Sequence, residues 1–199
     1  MDMPFVSSIE VFSGLADSPI PEQETLERAA NQRRLAAGDI LFRAGDSLPR
    51  VFVVNQGIVK LLYETPDGDT WIKGFVGPGI CFTSLTALEE GGVASFTAVA
   101  EVDSVVDQIG FADLVALAER HIEWQRAVSN AYKVYGQRKE RREMELLTLT
   151  AEERYLSFLR EYPNVAAVVR QRDIASFVRV TPVALSRIKS RIKSREERR

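Results

Sequence analysis

The side chains best suited to specific chemistry lie together near the end of the chain, in QRDIASFVRVTPVALSRIKSRI, residues 171 to 192. Thr181 followed by Pro182 pairs an N-cap residue with a proline at the first helical position, so a helix is expected to begin at Pro182. Leu185 and Ile188 give that helix a buried face, which leaves Val183, Ala184, Ser186, Arg187, Ser190 and Arg191 turned outward or sideways. Those types suit the edges of base pairs. Arg187 can donate two hydrogen bonds to a guanine, Ser186 can bond base edges or phosphate, and Val183 or Ala184 can touch a thymine methyl. Lys189, Lys193 and Arg195 suit phosphates, which position a protein without reading sequence. Thr181, Val183, Ala184, Ser186, Arg187, Lys189, Ser190, Arg191 and Lys193 are the candidate contacts to double-stranded DNA.

A helix that reads DNA must be held by another. Ile174, Ala175 and Val178 put an apolar face on a short preceding helix, Val180 packs in the turn, and the small Ala175 lets the second helix approach closely, as a helix-turn-helix requires. Arg179 stands where that turn favours glycine, so it must accept left-handed backbone or the turn must relax. An ordinary helical hairpin with a solvated basic face fits the same pattern. The charge distribution favours the DNA reading. From Pro163 onward ten Lys/Arg face only Asp173, Glu196 and Glu197, a surplus of seven, which leaves residues 1–162 at −9 within a chain of net −2. An acidic body with a basic segment is expected when one face meets a polyanion. The run RIKSRIKSREERR also reads as a solubilising tail.

The elements before this segment fall into two kinds. Ile9, Phe12, Leu15, Leu26 and Ala30 suggest short helices. From Arg33 to about Ile109 the pattern is β: ILFRAG, RVFVVNQGIVKLLYE, TWIKGFVG and SFTAVAEVDSVVDQI are rich in Val, Ile, Phe and Thr and punctuated by turn residues. Asp67-Gly68 marks a hairpin, and Gly38, Gly45, Gly57 and Gly79 mark corners of a barrel or roll. From Phe111 to about Leu149 the period is helical, with a break near His121. Trp124, Val128, Ala131 and Tyr135, continued by Arg138 and Arg142, form a short coiled-coil-like seam that fits pairing with a second copy of the chain; a solvated connecting helix is the other reading. Thr150 with Glu153 is a capping box opening AEERYLSFLREY, closed by Pro163.

Composition narrows the function classes. A chain of 199 residues with 45% hydrophobic content can bury a core and carry two modest domains. No apolar stretch approaches the ~20 residues needed to cross a bilayer, and MDMPFVSSIEVF lacks the pattern of a signal peptide, so a cytoplasmic location without membrane contact is expected. One cysteine and one histidine preclude a disulfide framework within the chain, a Cys/His metal cluster and an iron-sulfur centre. No paired nucleophile and base stands out in any segment, so no enzymatic activity is expected. The alternative function is a small-molecule sensor acting through a protein partner, with the basic hairpin as the contact surface.

The order of β-roll, long helix and C-terminal helix-turn-helix resembles the CRP/FNR family of bacterial transcription regulators. The resemblance is carried by LAAGDILFRAGDSLPRVFVVNQGIVKL, by the Gly-Pro-Gly leading into GICFTSLTALEEGG, and by AEERYLSFLREYP followed by RDIASFVRVTPVALSRI. It implies an α+β fold: an N-terminal antiparallel β-roll of the cyclic-nucleotide-binding jelly-roll type (residues 1–110), a dimerisation helix (111–149) and a helix-turn-helix unit (150–199). Members commonly append a β-hairpin wing, and SREERR cannot form one, so the expected unit lacks a full wing. The implied partners are double-stranded DNA, a second copy of the chain and RNA polymerase.

The family's phosphate-binding cassette uses a Glu for the ribose hydroxyl and, about ten residues later, an Arg-Ser pair for the cyclic phosphate. Here Ser84 stands at the Glu position and Ala94-Ser95 at the Arg-Ser pair. A cyclic phosphate buried without its Arg loses the charge-assisted pairing that offsets desolvation, so cAMP is not the expected ligand and no cofactor is implied. The pocket either binds another small-molecule effector, with Cys81, Thr83, Ser84, Leu85, Ala94 and Ser95 as candidate lining, or is a structural module. Cys81 reads as a small buried residue or a redox reporter. His121 reads as a helix-surface residue or, less simply, a haem ligand.

Overall fold

The computed structural model describes residues 3–197. It opens with helix α1 (Ser8–Ala16), set by a capping box in which the Ser7 hydroxyl accepts from the Glu10 amide at 3.2 Å and the Glu10 carboxylate accepts from the Ser7 amide at 2.7 Å. Helix α2 (Gln23–Ala29) follows. Eight strands come next: β1 (Asn31–Leu35), β2 (Ile40–Phe42), β3 (Arg50–Gln56), β4 (Val59–Glu64), β5 (Thr70–Val76), β6 (Ile80–Phe82), β7 (Thr97–Ala100) and β8 (Ser104–Gly110). They form two four-stranded antiparallel sheets, in the orders β1-β8-β3-β6 and β2-β7-β4-β5. This is the antiparallel roll the turn spacing predicts, with the β4–β5 hairpin folding at Asp67-Gly68. Gly57, between β3 and β4, has φ +91°, and a Cβ there would lie 2.2 Å from the Ser104 hydroxyl, so the corner needs glycine on both counts.

One irregularity in the roll has a large structural effect. Leu61 faces Gly74 and Leu62 faces Ile72, so Lys73 is the extra residue of a β-bulge. A bulge resets the alternation of side chains along the strand. Ile72 and Phe75, three apart, therefore share the outer face of this sheet, while Val59 and Leu61 point into the roll.

Helices α3 (Phe111–Arg120) and α4 (Ile122–Thr148) are separated at His121, which is extended. Trp124, the first residue of the seam expected along α4, is used within the chain instead. Trp124 is 0% exposed, its ring 5.2 Å from Phe12 of α1 and its indole N–H donated to the Pro21 carbonyl at 3.0 Å. The first turns of α4 thus bury their apolar face within the chain. Beyond Val128 much of that helix lies open, with Tyr132, Val134, Met144, Leu146 and Leu147 exposed, while Glu145 is buried.

After α4 come α5 (Ala151–Glu161), α6 (Pro163–Val168), α7 (Gln171–Phe177) and α8 (Pro182–Glu196). The Thr150–Glu153 capping box forms as expected. Pro163 ends one helix and also opens the next, since a proline at the first position is already compatible with helical backbone; the sequence pattern does not mark α6 as a separate element.

Three apolar clusters hold these parts together. One fills the roll, around Phe42, Phe52, Val54, Val59 and Phe96. A second joins α1, α3 and the start of α4 to the other sheet, around Phe12, Val53, Ile109, Leu117 and Trp124. The third is shared between the outer face of β4 and β5 (Leu62, Ile72, Phe75) and the C-terminal helices (Phe158, Ile174, Phe177, Leu185, Ile188). No helix among the described residues is long and apolar enough to cross a membrane.

Candidate nucleic-acid interface and effector cavity

The α7–turn–α8 unit is assembled by short-range chemistry. Ala175 is fully buried under Leu185 and Ile188, and the Val180 amide returns to the Ala175 carbonyl at 2.9 Å. Arg179 takes the left-handed conformation, φ 62°, which a side chain-bearing residue adopts at a cost of roughly 1–2 kcal/mol. The Thr181 hydroxyl accepts from the Ala184 amide at 3.2 Å, capping α8 one residue before Pro182. Thr181→Ala is expected to cost about 1 kcal/mol through loss of that cap. Thermal melts followed by helical circular dichroism would check it, and an unchanged melting temperature would contradict the assignment.

The outward face of α8 carries Val183, 63% exposed, together with Ser186, Arg187, Ser190 and Arg191; Ala184 is half-buried at its side. Among the described residues Arg187 makes no side-chain hydrogen bond or ion pair. The other cations are engaged within the chain: Lys189 donates to Gln171 at 2.8 Å, Lys193 lies 3.8 Å from Glu197, and Arg191 and Arg195 lie 4.0 and 2.5 Å from Glu152 of α5. Sequence spacing could not reveal that Glu152 gathers the arginines of the last two turns.

In the cassette the expected pocket residues divide. Ser84 is buried, and its hydroxyl accepts from the Ser95 amide at 2.9 Å and lies 3.2 Å from the Ser95 hydroxyl. Ala94 is buried beside them, while Ser95 itself is exposed. Thr83 donates to the Arg50 carbonyl at 2.8 Å. Beneath this loop Phe42, Phe52, Phe82 and Phe96 pack with ring centroids 5.0 to 5.5 Å apart, stacked for Phe42–Phe52 and Phe52–Phe82 and tilted for Phe42–Phe96. Two serines bonded to each other over packed phenyl rings do not fit a cyclic phosphate, which needs a cation and free donors.

A cavity of about 650 Å³ lies outside that loop, between the roll, α1 and α4. Cys81 and Thr83 border it; Ser84, Leu85, Ala94 and Ser95 do not. Leu85 instead borders a small void of about 70 Å³. Among the described residues five cations, Lys73, Arg138, Lys139, Arg142 and Arg179, line the cavity against one acid, Glu10. Sequence reasoning missed Lys73, because the rings its ammonium approaches, Phe96 at 4.7 Å and Tyr135 at 5.7 Å, come from distant segments. Burial pushes the Cys81 thiol up.

Burial, reinforced by nearby Lys139, holds the Lys73 ammonium down to about 8 from its ordinary 10.5. Between those values the unfolded chain binds more protons than the folded one, so stability rises as pH climbs through that window. Lys73→Met is expected to flatten the rise; melts showing the same pH slope for variant and wild type would contradict it.

The family model of the cyclic nucleotide-binding domain matches residues 32–121, the span of the roll and the helix that follows it. No curated protein matches the sequence. Among solved structures, FixK2 from Bradyrhizobium japonicum is similar over 84% of this chain and 86% of its own, at 22% identity and a TM-score of 0.74. The c-di-GMP-responsive global regulator CLP of Xanthomonas campestris is similar over 88% of this chain and 93% of its own, at 16% identity and a TM-score of 0.69. The N-terminal domain of a transcriptional regulator from Streptomyces coelicolor A3(2) is 27% identical over 67% of this chain and 95% of its own, with a TM-score of 0.52. Residues 32–121 thus match the cyclic nucleotide-binding domain, and along most of its length the chain shares the fold of FixK2 and CLP.

Proposed function

We propose that this chain is a homodimeric, sequence-specific DNA-binding transcription regulator of the CRP/FNR type that does not respond to cAMP. The observation that carries this reading is the outward row Val183, Ser186, Arg187 and Ser190 on a capped helix, with Arg187 free of any side-chain partner among the described residues. A planar guanidinium left unpaired on such a row is available to a guanine edge. Thr181, Ala184, Lys189, Arg191 and Lys193 complete the contact surface, the lysines and Arg191 toward phosphates.

Self-association through α4 belongs to this reading. Tyr132 and Leu146, fourteen residues apart and so close to four full turns, are exposed on one side of it, and exposed apolar residues on a long polar helix suit pairing with its copy. The large cavity borders the same helix, so a second copy would close it. Two α8 helices then enter successive major grooves roughly 34 Å apart. The working layout is residues 1–110 for the roll, 111–149 for dimerisation and 150–199 for DNA, acting in the cytoplasm on RNA polymerase at promoters, with no enzymatic step.

The test is retention of a two-fold symmetric DNA fragment by the purified protein at moderate salt, with affinity falling steeply as salt rises. Binding to a protein partner with no DNA affinity would favour the sensor alternative. Isothermal titration with cAMP is expected to give no saturable heat at micromolar concentration. Tight, saturable binding would overturn the reading of the Ser84–Ser95 loop.

A further inference from the structure

Resting on the DNA-binding reading, we infer that the β4–β5 hairpin of the roll is the positioning element of α8, and that Arg179 is kept at its strained turn position because it clamps the helix-turn-helix onto Trp71. The Arg179 guanidinium lies over the Trp71 ring, 3.9 Å from its centroid. A glycine would fit the φ of 62° without strain but could not reach the hairpin. The residue least suited to the turn is therefore the one that bridges to the roll.

Three further contacts fix the same joint. The Ser176 hydroxyl of α7 accepts from the Ile72 amide at 3.1 Å. Strand β5 is the sheet edge, so α7 takes up an edge amide that would otherwise face water. Lys60 of β4 lies 2.8 Å from Asp173 of α7 and 2.8 Å from Glu101 of the roll, all three side chains largely buried. From α4, Arg142 donates to the Phe177 carbonyl and stacks on the Phe177 ring at 4.1 Å. Underneath, Phe75 meets Phe177 at 5.7 Å and Phe158 at 6.1 Å.

These contacts divide the work. The phenyl rings supply adhesion without direction, whereas a stacked guanidinium, one edge amide and one lysine fix angle and register. Lys60 keeps Glu101 as a partner when Asp173 leaves, so releasing the helix-turn-helix strands no lone buried lysine, and the joint is separable. In a dimer, the angle of each α8 to its own roll sets the distance between the two reading helices. The clamp therefore governs half-site spacing, while the binding of one α8 to one half-site does not depend on it.

The experiment compares full-length wild type with Arg179→Gly and Asp173→Asn. Each protein is used to select from DNA libraries holding two half-sites at varied spacing, and is titrated against a single half-site. Wild type is expected to enrich one spacing. Both variants are expected to enrich several, with about tenfold weaker binding to the preferred one and half-site affinity unchanged within about twofold, while Arg179→Gly keeps or raises the melting temperature because strain is relieved. Amide exchange supplies a readout free of DNA: the Ile72 amide is expected to exchange faster in both variants. Unchanged spacing selectivity in variants that bind DNA, or unchanged Ile72 exchange, overturns the clamp. Failure of wild type to bind any half-site overturns the DNA-binding reading instead, and with it the spacing role.

Discussion

Arg187→Ala is expected to weaken binding to the operator by about 1–3 kcal/mol, roughly five- to 150-fold, and to relax base preference at one position in each half-site. The size follows from its setting. Arg187 sits mid-face on α8 between Val183 and Ser190, and among the described residues its guanidinium is bound to nothing in the chain. No intramolecular pair has to be broken before it meets a base, so the full discrimination of a bidentate contact goes to DNA. Lys193→Ala provides the contrast: removing a phosphate-binding charge there should lower affinity on every sequence alike and reduce the salt dependence by about one charge. Competition titrations on operator and random DNA separate the two. Equal losses on both for Arg187→Ala would remove it from base reading.

The largest effect on stability is expected from Phe158→Ala, at about 3–5 kcal/mol. Phe158 is 1% exposed, and its ring meets Tyr162 at 5.6 Å, Phe177 at 5.3 Å and Phe75 of the roll at 6.1 Å. Truncation leaves a void at the point where α5, α7 and β5 converge, and the bulge-set geometry of β5 limits how far Phe75 can follow. Calorimetry should show the transition lowered by about 10 °C or more, given a few degrees per kcal/mol for a chain of this size. A shift of only a degree or two would mean that the roll and the C-terminal helices do not share a core.

What can be seen in the sequence is whatever depends on short spacing. Ala175, Leu185 and Ile188 are three to ten residues from the turn they stabilise, and the caps at Thr181 and Thr150 act within one helical turn, so propensity and periodicity find them. The hairpin at Asp67-Gly68 is legible for the same reason. The α4 seam is misplaced at its start because Trp124 suits either a partner helix or an intramolecular core; Phe12 of α1, far away in sequence, decides between them. Lys73 escapes notice because the rings that receive it, Phe96 and Tyr135, lie more than twenty and more than sixty residues away. Arg179 is visibly out of place in its turn, but its reason lies in Trp71, more than a hundred residues earlier. The cassette lies between these cases. Loss of its cation is visible at Ala94, whereas the bond between Ser84 and Ser95 and the packing of four phenylalanines beneath it need the fold.

The most direct test is selection of genomic DNA fragments by the purified full-length protein with no nucleotide added, followed by sequencing of the bound pool. A two-fold symmetric motif with half-site centres about one helical turn apart is expected to be enriched. Retention that is salt-sensitive but carries no motif would contradict base reading, because Arg187 and its neighbours would then be meeting phosphates alone.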